Sequence, residues 1–258
     1  MTNTFLDVRG ARLHACSRGQ GPALVWAHGL LSSMAAEDGA GMWPDKSDGT
    51  LVRYDARGHG ASAAVQSVDE ACWDALAQDM LAVAAALVPQ PFCAGGVSLG
   101  AATALCAALH APEQVGRLVL MGPPPLWEAR APFARQYVRI AAAGMATIER
   151  LAGVSSRDLP PWLAQARLTP RAQALRPDSA LLYAAAAASN LPPRERLRLL
   201  ADVPALIIGW EGDPGHPWAS ALELHRLLPR SILHPVRSLP ERRALPALIA
   251  RFATVWPE

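Results

Sequence analysis

The chain has 258 residues, 51% of them hydrophobic and 18% charged, enough apolar material for one large packed domain and too much for a disordered chain. Its formal net charge of +2 gives no electrostatic case for a nucleic-acid or anionic-membrane partner. Met1 to Gly10 carries Asp7 and Arg9 without an apolar core, so it does not read as a signal peptide, and no apolar run reaches membrane-spanning length.

Strand-like and helix-like segments alternate along the chain, which predicts an α/β fold with a mainly parallel sheet covered by helices on both faces. Phe5 to Arg9 and Arg12 to Ser17 read as an antiparallel hairpin around Gly10. Ala23 to Ala27 is continuously apolar, as a strand buried on both faces should be. Thr50 to Tyr54 is the next strand, and Asp69 to Val88 a long amphipathic helix with Leu76, Met80, Val83, Ala84 and Leu87 on one face. Phe92 to Val97 reads as a strand, Leu99 to His110 as a helix of small residues, and Val115 to Met121 as a strand. Toward the end come a strand over Val203 to Gly209, a helix over Pro217 to Leu228, a strand over Ser231 to Val236 and a closing helix over Leu245 to Val255.

One stretch breaks the alternation. Residues 122–202 show no convincing strand but helical patterns punctuated by paired and tripled prolines, which predicts a helical lid inserted into a core formed by 1–121 and 203–258. Its aromatic residues Trp127, Phe133, Tyr137, Trp162 and Tyr183 either build the lid's own core or line a pocket. The same stretch holds 11 arginines against 6 carboxylates, which would steer a carboxylate-bearing substrate or simply solvate a helix surface. Lys46 is the only lysine, a bias that reads as genomic rather than functional. Cys16, Cys72, Cys93 and Cys106 lack metal-ligand spacing and read as buried thiols of a reducing, cytoplasmic compartment; no metal and no cofactor is expected.

The chemistry-bearing motif is Gly96-Val97-Ser98-Leu99-Gly100, a G-x-S-x-G pattern between a strand and a helix. Side chains on its neighbours would clash in so sharp a turn, and the turn aims the first helical N–H groups at the place where negative charge develops on a reacting carbonyl. With Ala27-His28-Gly29 after a strand, Tyr54 to Ser62 (YDARGHGAS), and a strand-then-Asp stretch near Asp213, the chain resembles the α/β-hydrolase superfamily over almost its whole length. The resemblance implies an eight-stranded sheet, Ser98 as nucleophile, and an oxyanion hole made by the backbone N–H groups of Leu30 and Leu99. It implies structural roles for the His28 and His59 side chains.

A serine hydroxyl needs a base within hydrogen-bond reach and a carboxylate to orient that base. The resemblance places the acid at Asp213, with Glu211 and Glu128 as competitors. The histidine departs from the family pattern, because the loop after the last strand, Arg237 to Glu241, contains none. Of the seven histidines, His14, His110 and His225 sit on a hairpin, at a helix end and on a surface helix. His216 lies three residues after Asp213, on the carboxyl edge of the sheet where ligands bind in such folds. His234 lies in the last strand before Pro235, and would reach the site only if that strand stopped early. Three readings follow: a rearranged triad through His216, a triad through His234, or no catalytic histidine.

The expected function is hydrolysis of a small ester-like or lactone substrate through a Ser98 acyl-enzyme. The alternatives are a chemistry without an acyl-enzyme, such as perhydrolysis, and a catalytically degenerate member that binds a small ligand or a partner.

Overall fold

The structure is a computed structural model that describes residues 2–43, 49–143, 161–162 and 176–255. Strands β1 (Thr2–Val8) and β2 (Ala11–Arg18) form an antiparallel hairpin that turns at Arg9 and Gly10, both at positive φ. Next come β3 (Ala23–Ala27), the short helix α1 (Met34–Gly39), β4 (Thr50–Tyr54) and α2 (Trp73–Leu87). They are followed by β5 (Phe92–Val97), α3 (Leu99–His110), β6 (Val115–Met121), α4 (Arg130–Ala142) and α5 (Ser179–Ala188). The chain closes with β7 (Ala205–Trp210), α6 (Trp218–Leu227), β8 (Ser231–Val236) and α7 (Leu239–Thr254). The described residues form one eight-stranded sheet in the order β1-β2-β4-β3-β5-β6-β7-β8, antiparallel at β1–β2 and β2–β4 and parallel elsewhere.

Strand periodicity divides the core into two layers. In β3, Val25 and Ala27 join the apolar layer shared with α2, α3 and α6, whereas Leu24 and Trp26 face the layer capped by Leu245, Ile249 and Phe252 of α7. In β7, Ala205 and Ile207 face the first layer, and Leu206, Ile208 and Trp210 the second. This two-sided burial is why the central strands read as unbroken apolar runs. Pro235 is tolerated in β8 because that strand pairs only with β7, at the sheet edge.

Several boundaries differ from the sequence reading. The helix expected over Asp69 to Val88 is broken: Asp69–Ala71 is a single 3-10 turn, Cys72 is extended, and α2 starts at Trp73. The Trp73 amide there donates to the Ser189 hydroxyl at 3.1 Å, so a residue distant in sequence caps α2. The closing helix begins at Leu239, not Leu245, because the Ser238 hydroxyl accepts the Glu241 amide and starts the helix before its apolar face begins. The strand expected from Val203 begins at Ala205, after Pro204. Cys72 is half-buried rather than buried, and its thiol donates to the Val68 carbonyl.

Within 122–202, the described residues form α4, α5 and the 3-10 turns Trp127–Ala129 and Arg194–Leu200, with no strand among them; residues 144–160 and 163–175 lie outside the described residues. Trp127 belongs to the main core, where its indole donates to the Pro192 carbonyl. Tyr137 and Tyr183 meet at 5.6 Å and pack on a separate cluster of Leu31, Val65, Ile140, Leu182 and Ala185, which joins α4 and α5 to the loop after β3. Trp162 packs on the layer that includes Trp210. Among the described residues no helix is long and apolar enough to cross a membrane.

Candidate active site

Ser98 joins β5 to α3 at φ 56°, ψ −111°, a strained conformation for a residue with a side chain. The flanking glycines are required by space. A Cβ on Gly100 would lie 1.9 Å from the Ala27 carbonyl oxygen, and one on Gly96 would lie 2.3 Å from the Gly100 backbone. The Ser98 amide donates to the Met121 carbonyl at 2.9 Å, which ties the elbow to the end of β6.

The loop between β7 and α6 brings Asp213 and His216 to the same point. His216 Nδ1 lies 2.8 Å from Asp213 Oδ2, and His216 Nε2 lies 2.8 Å from Ser98 Oγ. With the neutral ring donating from Nδ1 to the carboxylate, Nε2 is left to accept from the Ser98 hydroxyl. The Asp213 side chain is only 2% exposed, whereas His216 is 21% exposed. The Gly215 amide donates to Asp213 Oδ1 at 2.8 Å and the Trp210 indole to Oδ2 at 3.3 Å. Burial alone would raise the Asp213 pKa; the hydrogen bond and charge of His216, then the Trp210 and Gly215 donors, outweigh it and hold the carboxyl well below its ordinary range. The Trp210 ring stands edge-on to His216 at 5.9 Å. Gly122, just after β6, has φ 51°, and a Cβ there would clash with the Trp210 ring at 2.7 Å while only touching the His216 ring at 3.6 Å, so this position too needs glycine.

On the other side of Ser98 runs the loop after β3. A Cβ on Gly29 would lie 3.7 Å from the Ser98 Cβ, so the Gly29–Leu30 peptide borders the serine. His28 Nδ1 donates to the Gly29 carbonyl at 2.8 Å and its Nε2 accepts the Ala56 amide at 3.1 Å. His59 Nδ1 donates to the Arg57 carbonyl at 2.8 Å and its Nε2 accepts the Leu31 amide at 3.1 Å. The two rings meet at 4.9 Å. Burial first, and His28 second, lower the His59 pKa to about 3, so it is neutral across the physiological range. Among the described residues no hydrogen bond uses the Leu30 or the Leu99 amide.

The other candidates lie elsewhere. His234 sits inside β8, opposite Ile208, and the strand runs on to Val236, so it does not end early. His14 contacts Asp55, His110 pairs with Asp74, and His225 meets the Ser231 hydroxyl. Glu128 is exposed and paired with Arg194, and Glu211 is exposed. Sequence reasoning passed over Trp210, which is recognisable only once β7 is known to end on it. It also gave His28 and His59 no specific partners, though each was signalled by an adjoining glycine. Among the described residues no cluster of His, Cys, Asp and Glu has a metal-binding arrangement.

This fold matches known proteins. The family model for the alpha/beta hydrolase fold matches residues 22–237, and the chain belongs to that family. The pimeloyl-[acyl-carrier protein] methyl ester esterase of Nitrosomonas europaea is 33% identical over 128 residues, a stretch that spans 47% of this chain and 45% of that protein. The chain thus matches under half of that relative's length. Among solved structures, a hydrolase from Pseudomonas aeruginosa PA01 is similar with a TM-score of 0.76 at 22% identity, covering 98% of both chains. A thermophilic esterase from Thermogutta terrifontis reaches a TM-score of 0.78 at 17% identity, covering 98% of this chain and 96% of its own. The enol-lactonase from Burkholderia xenovorans LB400 reaches 0.67 at 20% identity, covering 98% and 100%. At these identities the solved structures speak to fold alone.

Proposed function

We propose that the chain hydrolyses small carboxylic esters or lactones through a covalent Ser98 acyl-enzyme, with His216 as general base and Asp213 as its orienting carboxylate. The observation that supports this reading is the continuous line of short hydrogen bonds from Ser98 Oγ through the His216 ring to Asp213. In the first step His216 Nε2 takes the hydroxyl proton as Ser98 Oγ attacks the ester carbonyl carbon. The carbonyl oxygen becomes the oxyanion, which the Leu30 and Leu99 amides stabilise. When the tetrahedral species collapses, the C–O bond to the alcohol breaks and the alcohol leaves with the proton from Nε2. Water, deprotonated by the same nitrogen, then attacks the acyl-enzyme, and the carboxylic acid and free Ser98 are released. The name of the 33% identical relative supports an ester as the bond broken.

In this reading the segment 122–202 is a lid over the site, and the substrate enters beneath it. Ligand binding alone would not call for a buried acid linked through His216 to the serine of a glycine-enforced elbow. The test is a fluorophosphonate probe together with a panel of p-nitrophenyl esters and aryl lactones. The wild type should be labelled and turn over at least one of the panel, and Ser98→Ala should do neither. Equal labelling of both proteins would overturn the nucleophile, and a wild type that neither labels nor turns over any ester would favour the ligand-binding alternative.

A further inference from the structure

The loop that borders Ser98 is held from behind by groups outside the Ser98–His216–Asp213 line. In a planar trans peptide the C=O and the following N–H point in opposite directions. The Gly29 carbonyl accepts His28 Nδ1–H and the Ser32 amide at 2.8 and 3.0 Å, so the Leu30 N–H of the same peptide points the other way. The next residue, Leu31, is held at φ 56°, a conformation that costs a branched side chain energy and relaxes unless something fixes it. What fixes it is His59 Nε2, which accepts the Leu31 amide. His59 itself sits in a loop that Arg176 and Asp178 grip. Arg176 Nη1 donates to the Gly60 and Ser62 carbonyls, both at 2.9 Å. Asp178, paired with Arg176 Nε at 3.2 Å, accepts the Val65 amide at 2.9 Å.

We propose that His59 is a positioning residue for the oxyanion hole, holding Leu31 so that the Leu30 amide stays aimed at the reacting oxygen, and that Arg176 of the lid segment steadies the loop that carries it. Arg176, the loop that carries His59 and the oxyanion hole are thereby one mechanical unit. The proposal rests on the acyl-enzyme reading. It predicts a signature that bulk destabilisation does not give: a loss that appears in the transition state and not in substrate binding.

The experiment compares wild type, His59→Leu, His59→Gln and Arg176→Gln with p-nitrophenyl butyrate as substrate and a trifluoromethyl ketone as inhibitor. The ketone's serine adduct carries its alkoxide where the oxyanion forms. In His59→Leu, kcat should fall about 10–10²-fold, less than the 10²–10³-fold typical of deleting an oxyanion donor outright. Affinity for the ketone should fall in proportion, and KM should stay within about threefold. In His59→Gln the amide oxygen can accept the Leu31 N–H, and kcat should recover to within about tenfold of wild type. If His59→Leu does not fold, Arg176→Gln carries the test, with an expected fall of about threefold or more in both kcat and ketone affinity. A folded His59→Leu, or in its absence Arg176→Gln, with unchanged kcat and ketone affinity would overturn the proposal, as would a loss confined to KM. Ser98→Ala is run alongside: undiminished turnover there overturns the acyl-enzyme reading and this proposal together, whereas a dead Ser98→Ala with an unimpaired His59→Leu overturns this proposal alone.

Discussion

Asp213 and His216 are three positions apart in one loop, and the carboxylate and imidazole nonetheless meet at 2.8 Å with the ring's far nitrogen 2.8 Å from Ser98. The His216 backbone amide also donates to the Asp213 carbonyl at 3.2 Å, closing the loop into a turn that puts both side chains on the same side. A loop this tight, with Pro214 between acid and base and Pro217 just after the base, holds the two together with restricted backbone freedom.

His216→Ala is expected to lose turnover about as severely as Ser98→Ala, by about 10³-fold or more, and the double variant no more than either alone, because the members of such a unit do not act additively. Steady-state kinetics on one ester substrate reads this directly. His234→Ala, altered inside β8, should keep turnover within a few-fold of wild type; a collapse of activity there, with His216→Ala left active, would exchange the two roles.

Asp213→Asn keeps the shape of the loop but lets the amide favour the wrong ring tautomer of His216, and kcat should drop by about 10⁴-fold. The carboxyl's folded-state pKa lies below its unfolded value of 3.8. Its charged form therefore favours the folded chain, with the full contribution present above that unfolded value and lost as the pH falls below it toward the lower folded value. Acid denaturation followed by circular dichroism should show wild type losing stability relative to Asp213→Asn as the pH is lowered below about 4. Parallel curves for the two proteins would show that Asp213 contributes nothing to acid stability.

Gly100→Ala is expected to be among the most damaging of all single-methyl additions. The new Cβ would meet the Ala27 carbonyl at 1.9 Å, and neither backbone can give way without moving the elbow or β3. A loss of about 3 kcal/mol or more, or failure to accumulate as soluble protein, should be seen by denaturant unfolding. Near-normal stability would mean that the elbow is far more compliant than its geometry implies.

Away from the site, Asp79 of α2 receives Arg57 through two nitrogens at 2.6 and 2.9 Å, and Arg9 at 3.0 Å. The Asp79 and Arg57 side chains are 1% and 8% exposed. Asp79→Ala leaves the Arg57 charge buried without its partner, and unfolding free energy should fall by about 3–5 kcal/mol while KM for an ester substrate stays unchanged. A loss under about 1 kcal/mol would show that water reaches Arg57 freely.

The strands were legible wherever both faces are buried, because β3, β5 and β7 carry continuous apolar runs that no surface element needs. The elbow was legible because its G-x-S-x-G pattern fills five consecutive positions, although the contact that forces Gly100 comes from distant Ala27. His216 was readable only as one of several positions, since whether residues three apart converge depends on a turn that no periodicity encodes. Trp210 was hidden for a different reason: a tryptophan at a strand end reads as core, and only its indole N–H on Asp213 gives it a polar task. The start of α2 was misread because the group that caps it, Ser189, arrives from more than a hundred residues downstream.

The shared loop has a consequence for how this sequence can change. If His216 is the last residue with chemistry to perform, then α6, β8 and α7 answer only to packing. This C-terminal part of the fold becomes neutral ground, where substitutions are filtered by stability and not by turnover. Saturation libraries confined to residues 218–255 should therefore yield survivors that retain near-parental kcat and differ from one another mainly in melting temperature.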